Sequence, residues 1–173
     1  MAKTNALFLT IVFLLSGFVS FAQAEQAKAV KLGYIDVALV FDGYSKTKEL
    51  DASLSSKSEQ KKQERDKMAE KIKNMKSELE LLGDKEKEAK QDQIYQEERK
   101  LQDFENAVRS ELRKERDNMA REILKEIDVV IKEYSQKNGY IMVFNNRILV
   151  YAQEQDDLTQ EILSILNSKY KKK

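Results

Sequence analysis

Residues 68–101 read MAEKIKNMKSELELLGDKEKEAKQDQIYQEERKL, and this stretch decides the fold. Before Gly83, the apolar residues recur at alternating steps of four and three, which is an a/d heptad seam: Met68, Ile72, Met75, Leu79 and Leu82. Beyond Gly83, the apolar residues Ile94 and Leu101 follow a different phase. A phase change at the only glycine of a long charged stretch favours an antiparallel helical hairpin over one continuous rod.

The two helices of this hairpin are expected to be long. The outbound helix is predicted from Leu50 to Leu82 and the return helix from Lys85 to Tyr134, with the tip near Gly83-Asp84. The chain contains no Pro, which fits helices without interruption. At about 1.5 Å per residue the outbound helix alone is roughly 50 Å long, far more than a small-molecule site needs.

The return helix repeats its apolar residues every eleven positions rather than every seven. One such series is Val108, Met119 and Val130, and another is Leu101, Leu112, Ile123 and Tyr134. Eleven residues in three turns predict nearly straight to slightly right-handed coiling. We therefore expect Leu112 and Ile123 to point toward the partner helix rather than toward solvent.

The middle of the hairpin has an uneven distribution of apolar residues. Folding at Gly83 places the polar segment Ser55–Arg65 opposite Leu101–Leu112. Either long Lys and Arg stems cover the apolar side chains there, or these side chains form a strip that binds another molecule. The candidate residues for binding another molecule are Met68, Ile72, Met75, Tyr95, Leu101, Phe104 and Val108, although apolar residues at this spacing more often form the helix seam.

Short β-forming segments flank the hairpin. Lys31–Asp36 reads as a strand, and Asp36 is placed to cap a short helix through Val37–Phe41. Gly139 is expected to end the return helix. The segments Tyr140–Phe144 and Ile148–Ala152 predict a β-hairpin, and a last helix opens at Asp156-Asp157 with one apolar face: Leu158, Ile162, Ile165 and Leu166.

These elements predict an α+β fold in which a small β-rich head carries the helical hairpin as a coiled-coil arm. The head comprises residues 25–49 and 135–173, and the arm comprises residues 50–134. Three short strands are too few to be stable alone, and their edges need partners, so the head is expected to oligomerise. The candidate residues for the head core and the contacts between copies are Leu32, Tyr34, Ile35, Ile141, Val143, Leu149 and Tyr151.

The first 24 residues have the pattern of a secretory signal peptide. Lys3 supplies a positive charge, an apolar run follows, and Ala22-Gln23-Ala24 offers small residues before a cut at Glu25. The alternative is an uncleaved membrane anchor, which the short run interrupted by Ser and Gly disfavours. A lipid-anchored form is excluded because no Cys follows the run. We therefore expect export and no stable membrane insertion after cleavage.

The composition excludes several classes of function. The chain has no His, Cys or Trp, which removes catalysis by His or Cys and the commonest transition-metal ligands. No cofactor, metal site or catalytic residue is expected; a carboxylate pair stays open as a minor alternative. Without Lys3 the net charge falls from +1 to about zero, so the balance predicts no attraction to nucleic acid.

In order and spacing these segments resemble the Skp/OmpH family of periplasmic chaperones. The resemblance is carried by the signal peptide, Lys31-Leu32-Gly33-Tyr34-Ile35-Asp36, the turn at Gly83-Asp84, and the closing residues Val143, Ile148–Ala152 and Asp157-Leu158-Thr159. It implies a jellyfish-shaped homotrimer whose arms hold unfolded outer-membrane β-barrel proteins in the periplasm and prevent their aggregation without ATP. It implies no enzyme activity.

One feature departs from that family. Some members are strongly basic, whereas this mature chain is near neutral, with basic and acidic residues interleaved at the tip. Electrostatic capture of clients and a lipopolysaccharide site are therefore not carried over. A periplasmic coiled-coil scaffold or adaptor that docks one fixed partner is the alternative, for which a patterned tip would be expected.

Overall fold

The computed structural model describes residues 30–171, which form one compact unit from Lys31 onward. The predicted signal peptide, residues 1–24, lies outside the described residues. The main elements are β1 (Lys31–Ile35), α1 (Val37–Gly43), α2 (Ser45–Glu80), α3 (Asp84–Asn138), β2 (Tyr140–Asn145) and α4 (Thr159–Lys171). Short 3-10 turns cover Asn146–Ile148 and Glu154–Asp156. The predicted α+β class with a long antiparallel helical hairpin is confirmed.

The hairpin reverses where the phase of its apolar residues breaks. Leu81 ends α2, and the carbonyl oxygen of Gly83 accepts the N–H groups of Glu86 and Lys87 at 3.0 and 3.1 Å. Gly83 has φ −78° and ψ 162°, a conformation open to any residue, so the turn does not depend on glycine's freedom. The phase break was thus the sounder indication of the reversal.

Both helices extend beyond their predicted ends at the head. α2 begins at Ser45 rather than Leu50, and α3 continues to Asn138 rather than Tyr134. Thr47, in the added first turn of α2, is 2% exposed, so this turn is part of the buried structure. α3 ends as predicted at Gly139, whose φ of 74° is left-handed and favours glycine.

The sheet of the described chain has two strands, β1 and β2, which run parallel. The predicted β-hairpin is wrong. β2 pairs with β1 instead, and the whole arm lies between these two strands in the sequence. The predicted strand Ile148–Ala152 does not form: the Asn145 side chain accepts the Arg147 N–H at 3.1 Å and caps a 3-10 turn that includes Ile148. Residues 149–152 have strand-forming side chains but no strand assignment in this single chain.

The start of α4 packs against β1. The Leu158 N–H donates to the Tyr34 carbonyl oxygen at 2.8 Å, and a Cβ at Gly33 would lie 2.7 Å from Leu158 Cδ1. A side chain at Gly33 would therefore force the buried Leu158 side chain to shift. The helix caps agree with prediction at Asp36, which accepts the Leu39 N–H at 3.0 Å, while Asp157 accepts the Thr159 N–H at 2.8 Å.

The hydrophobic core lies where the arm meets the head. Its buried side chains come from β1, α1, α3 and α4 and from the residue before each of α2 and α4: Ile35, Val40, Tyr44, Ile123, Ile127, Val130, Leu158, Ile162 and Leu166. Burying each aliphatic side chain contributes about 1.5–3 kcal/mol. The last part of α3 thus belongs to the head core and to the arm at once, which anchors the arm.

Candidate functional site

The outer arm, between residue 68 and the tip, has a thin apolar seam. Ile72 and Ile94, which are 7% and 6% exposed, are the buried hydrophobic residues in this part of the described chain. The other predicted seam residues are half-buried: Met68, Met75, Leu79 and Leu82. Two buried isoleucines give this part far fewer packed side chains than the head core, so its helices are joined mainly through partly solvated contacts.

The middle of the arm has half-buried apolar side chains beneath basic ones. Leu101, Phe104 and Val108 are all half-buried, and Lys61 Nζ lies 5.4 Å from the centre of the Phe104 ring. A cavity of about 280 Å³ adjoins Phe104, Val108 and Arg65. Lys61 therefore lies over one part of this strip in the single chain, while Leu101, Phe104 and Val108 each remain partly exposed.

Ion pairs connect the two helices of the hairpin. Lys57 Nζ lies 2.8 Å from Glu111 Oε1 and 2.6 Å from Glu115 Oε2. Further pairs across the hairpin join Lys46 to Glu122 and Glu126, Lys71 to Glu97, Lys76 to Glu98, and Lys90 to Glu78. Exposed pairs of this kind contribute about 0–1 kcal/mol each, so they set the register of the helices more than the stability.

The pairing pattern changes in the middle of the arm. Between Lys57 and Lys71 of the described chain, the ion pairs of α2 join neighbours within the helix: Lys61–Glu64, Lys62–Glu59 and Arg65–Asp66. Such pairs stabilise one helix without holding it to the other. The middle of the arm therefore lacks both a buried apolar seam and ion pairs across the hairpin, and it is the weakest part of the helix–helix contact.

Glu97 marks the outer boundary of this weak region. Its carboxylate accepts hydrogen bonds from Lys100 and Lys71 at 2.7 and 2.8 Å. These hydrogen bonds lower the pKa of Glu97 from 4.5 to about 2, with the Lys100 bond the larger cause. The glutamate stays charged at any ordinary pH and joins α2 to α3 next to the buried pair of isoleucines.

A second polar network fixes the root of the arm. The Tyr44 hydroxyl donates to Glu126 Oε2 at 2.8 Å, and Lys46 Nζ lies 2.5 Å from Glu122 Oε1 and 2.7 Å from Glu126 Oε1. Burial, followed by the contact with Glu126, raises the pKa of Tyr44 to about 12. Burial lowers the pKa of Lys46, but its hydrogen bonds to both glutamates outweigh this and raise it. These groups bind one another and tie α2 to α3.

The head exposes a group of large apolar side chains. Val150 is fully exposed, Tyr151 is 82% exposed and Ile148 is 70% exposed. Ile141 and Met142 on β2 are exposed as well, and Leu32, the register partner of Met142 on β1, is 43% exposed. So many exposed apolar side chains around two short strands are typical of a surface that binds another protein.

The predicted site residues fall into three groups. Ile35 and Ile72 are buried, so they act in packing within the single chain. Half-buried positions include five arm residues and three head residues: Met68, Met75, Leu101, Phe104, Val108, Tyr34, Val143 and Leu149. The remaining residues are exposed, namely Tyr95 on the arm and Leu32, Ile141 and Tyr151 on the head. β1 and β2 bring Leu32, Tyr34, Ile35, Ile141 and Val143 together in one sheet, whereas Leu149 and Tyr151 lie beyond it.

Sequence reasoning missed the residues that hold the arm root. Tyr44 completes an apolar series with Val37, Val40 and Phe41 at helical spacing, and this series could have indicated its burial. Asn167, whose side chain accepts the Ser45 N–H at 2.7 Å, gives no signal in the sequence, because its partner lies 122 positions away. Leu112 and Ile123 do point inward, being half-buried and buried.

The described residues contain no group of three or more Asp or Glu side chains arranged to hold a metal ion. No helix among them is long and apolar enough to cross a membrane.

Comparison with known proteins gives one family and one informative structure. The family model described as outer membrane protein (OmpH-like) matches residues 31–166. The crystal structure of a protein from Caulobacter crescentus CB15, described as an OmpH-like outer membrane chaperone, is similar with a TM-score of 0.76 and 12% sequence identity. The match covers 81% of this chain and 85% of that chain, so the two share a fold. A search of curated proteins found no match.

Proposed function

The chain belongs to the OmpH-like family of outer membrane proteins, and from this membership we propose that it is a periplasmic holdase chaperone that works without ATP. Its clients are unfolded outer-membrane β-barrel proteins, which it confines between helical arms so that they cannot aggregate. The Caulobacter protein of the same fold is described as an outer membrane chaperone, which supports this role. The periplasmic location rests on the predicted signal peptide, residues 1–24.

The weak middle of the arm is the observation that carries the proposal. A holdase must bind many different sequences, and this favours weak, adaptable contacts over one rigid pocket. The half-buried Met68, Leu101 and Phe104 lie along helices that are poorly tied to each other, so small movements of basic stems expose apolar surface there. Release needs no hydrolysis, because a client leaves when it reaches a more favourable membrane or assembly site.

The proposed active form is a homotrimer joined through the head, residues 25–49 and 135–173, with the arm of residues 50–134 projecting from it. The exposed side chains of Ile141, Val150 and Tyr151 support an assembly that covers them. β2 pairs with a strand on one side within the described chain, and Val150 and Tyr151 lie outside any strand with their side chains exposed. Strand pairing between copies would give β2 a second neighbour and would cover the exposed side chains of Val150 and Tyr151.

Client holding is tested with residues 25–173 and a urea-unfolded outer-membrane β-barrel protein. After dilution from urea, light scattering should stay low at about one trimer per client without nucleotide. A requirement for ATP, or full aggregation at a large excess of this protein, would contradict the proposal.

Assembly is tested by placing a charge on the exposed head surface. Val150→Lys should shift the mass from light scattering coupled to size exclusion from three chains toward one, because a buried unpaired ammonium is costly. Tyr95→Lys is the matched control, since Tyr95 is 61% exposed but lies on the arm, and it should leave the mass unchanged. A monomeric parent protein would contradict the proposed trimer.

The second candidate function, an adaptor that docks one fixed partner, is favoured by Leu81. This leucine at the arm tip is 87% exposed, a large apolar side chain between Glu80 and the half-buried Leu82. Leu81→Asp should leave client holding unchanged if the arm acts along its length. If Leu81→Asp no longer held the unfolded client at all, the adaptor function would be favoured, because binding would then depend on the tip alone.

A further inference from the structure

The arm helix α2 begins without a cap of its own. Its N-cap residue, Tyr44, makes no side-chain hydrogen bond to the first turn, although the first N–H groups of a helix lack partners within the helix. Asn167 on α4 supplies the missing acceptor, since its Oδ1 accepts the Ser45 N–H at 2.7 Å. The long arm therefore starts on a cap provided by the last helix of the chain.

Neighbouring residues of α4 hold both helices of the arm. The Tyr170 hydroxyl donates to Glu49 Oε2 on α2 at 2.6 Å, and its ring packs edge-on against the Tyr44 ring with centres 5.8 Å apart. Lys169 Nζ lies 2.6 Å from Glu133 Oε2 on α3. About one turn of one helix, residues 167–170, thus contacts α2 and α3 at the place where the arm leaves the head.

The point that these contacts surround is a joint in the backbone. Tyr44 alone separates α1 from α2, and its ψ of 128° turns the chain between the two helices. Large motions of helices use a few residues at element ends as hinges. Asn167 bridges this joint, because its Nδ2 also lies 3.5 Å from the Gly43 carbonyl oxygen at the end of α1.

We propose that α4 is a clamp that fixes the direction in which the arm leaves the head, with Asn167 as the positioning residue at its centre. Tyr170 and Lys169 keep α4 seated against both arm helices. If the chain is a holdase as proposed above, this direction sets the space between arms that a client can occupy.

The direction of the arm can be measured as a distance within one chain, without any client. The chain has no Cys, so spin labels can be attached at Glu154→Cys, in the 3-10 turn of the head that contacts β1, and at Lys85→Cys near the tip, both at exposed positions. Labelled chains are diluted with unlabelled ones so that each measured distance lies within a single chain. Because no client is present, the result is independent of whether the protein is a chaperone.

Asn167→Ala should broaden the distance distribution, since the joint at Tyr44 then loses both hydrogen bonds to α4 and keeps only its packing in the core and its bond to Glu126. Asn167→Asp should broaden it less, because the carboxylate still accepts the Ser45 N–H and a negative charge suits a helix N-terminus, although the donor to the Gly43 carbonyl oxygen is lost. Asn106→Ala, at an exposed position on the arm, is the matched control and should change nothing. A distribution in Asn167→Ala as narrow as in the parent protein would overturn the proposal.

Amide hydrogen exchange separates a local cap from a clamp. Loss of a cap costs typically about 1 kcal/mol, so the first-turn amides of α2 should exchange about fivefold faster in Asn167→Ala. If these amides exchange faster in Asn167→Ala while the distribution of spin-label distances stays narrow, then Asn167 acts only as a helix cap. The proposal that α4 is a clamp would then be wrong. Should Asn167→Ala fail to fold, Tyr170→Phe removes only the hydroxyl bond to Glu49, and an unchanged distance distribution in that variant would likewise overturn the proposal.

Discussion

The root of the arm and its outer part are built from the same two helices but are held together differently. At the root, Ile123, Ile127 and Val130 of α3 are at most 4% exposed and pack into the core of the head. In the outer arm, from residue 68 to the tip and back to Leu101, Ile72 and Ile94 are the buried hydrophobic residues among the described ones. Half-buried apolar side chains such as Met75 and surface ion pairs such as Lys76–Glu98 supply the other contacts there. Fully buried apolar side chains thus dominate one end, and partly solvated contacts the other.

This difference shows how one fold can be rigid and adaptable at once. Buried aliphatic side chains are close-packed and tolerate little change, which fixes the root. Exposed ion pairs are weak and exchange with water easily, so the outer helices can separate locally at small cost in free energy. A chaperone that holds varied clients needs such an arm on a head that does not move.

The largest contrast should appear when one isoleucine is shortened in each region. Ile127→Ala, at a position 1% exposed, should lower the free energy of unfolding by about 2–5 kcal/mol because the packed root cannot close the cavity. Ile72→Ala, at a position 7% exposed, should cost less, about 1–2 kcal/mol, because the thin arm can collapse around the gap. Urea unfolding followed by circular dichroism measures the free energy of unfolding of both variants. Equal losses in the two variants would contradict the difference in packing between the root and the outer arm.

A smaller effect is expected from the polar network of the root. Tyr44→Phe removes the hydroxyl that donates to Glu126 at 2.8 Å and should cost about 1 kcal/mol at neutral pH.

Tyr44→Phe should also change how the free energy of unfolding depends on pH in the alkaline range. Because the pKa of Tyr44 is raised from 10.0 to about 12, the folded state keeps this proton longer than the unfolded state does. Its contribution to stability is complete below pH 10 and is lost as the pH rises to about 12. The fall in stability over that range should be shallower in Tyr44→Phe, and parallel curves for parent and variant would contradict this assignment.

The ion pairs that cross the arm should each matter less. Lys57→Met removes pairs to Glu111 and Glu115 and should lower the melting temperature only slightly in low salt, with a still smaller loss in high salt. Lys62→Met is the matched control, because Lys62 pairs within its own helix with Glu59 at 3.7 Å. Thermal unfolding at two salt concentrations tests this, and a loss that does not depend on salt would contradict it.

The smallest expected effect on stability appears only at acidic pH and concerns Glu97. The pKa of Glu97 is lowered to about 2, so its contribution is present above pH 4.5 and is lost as the pH falls toward 2. Glu97→Gln should therefore unfold less steeply with falling pH in this range, while Glu98→Gln serves as the control in the neighbouring pair with Lys76. Acid titration monitored by amide exchange in the outer arm reports it. Identical acid profiles for Glu97→Gln and the parent protein would refute the assignment.

Local patterns were enough to predict the hairpin turn, one helix cap and one helix stop, but not where the arm helices begin and end at the head. The phase change at Gly83, the cap at Asp36 and the stop at Gly139 each depend on residues close together in sequence, and each is present in the structure. The predicted strand Ile148–Ala152 failed because strand formation requires a partner, and the pattern of β-branched side chains does not reveal which partner is available.

The candidate site was predictable only in part for the same reason. The uncovered apolar strip at Leu101 and Phe104 was visible once the chain was folded at its tip. Coverage by Lys61, the pairing of Lys57 with two glutamates, and the contact of Asn167 with Ser45 depend on three-dimensional register. Tyr151 was predicted to contribute to the head core or to contacts between copies, but only the structure shows that a single chain leaves Tyr151 and its neighbour Val150 uncovered.

The central claim is that clients bind along the weakly packed part of the arm while the head keeps its structure. Amide hydrogen exchange on residues 25–173, with and without an unfolded outer-membrane β-barrel protein and without nucleotide, tests it most directly. The account predicts new protection spread over residues 55–112 of both helices, with exchange in the core around Ile127 and Ile162 unchanged. Protection confined to the tip around Leu81, or found only in the head, would contradict it.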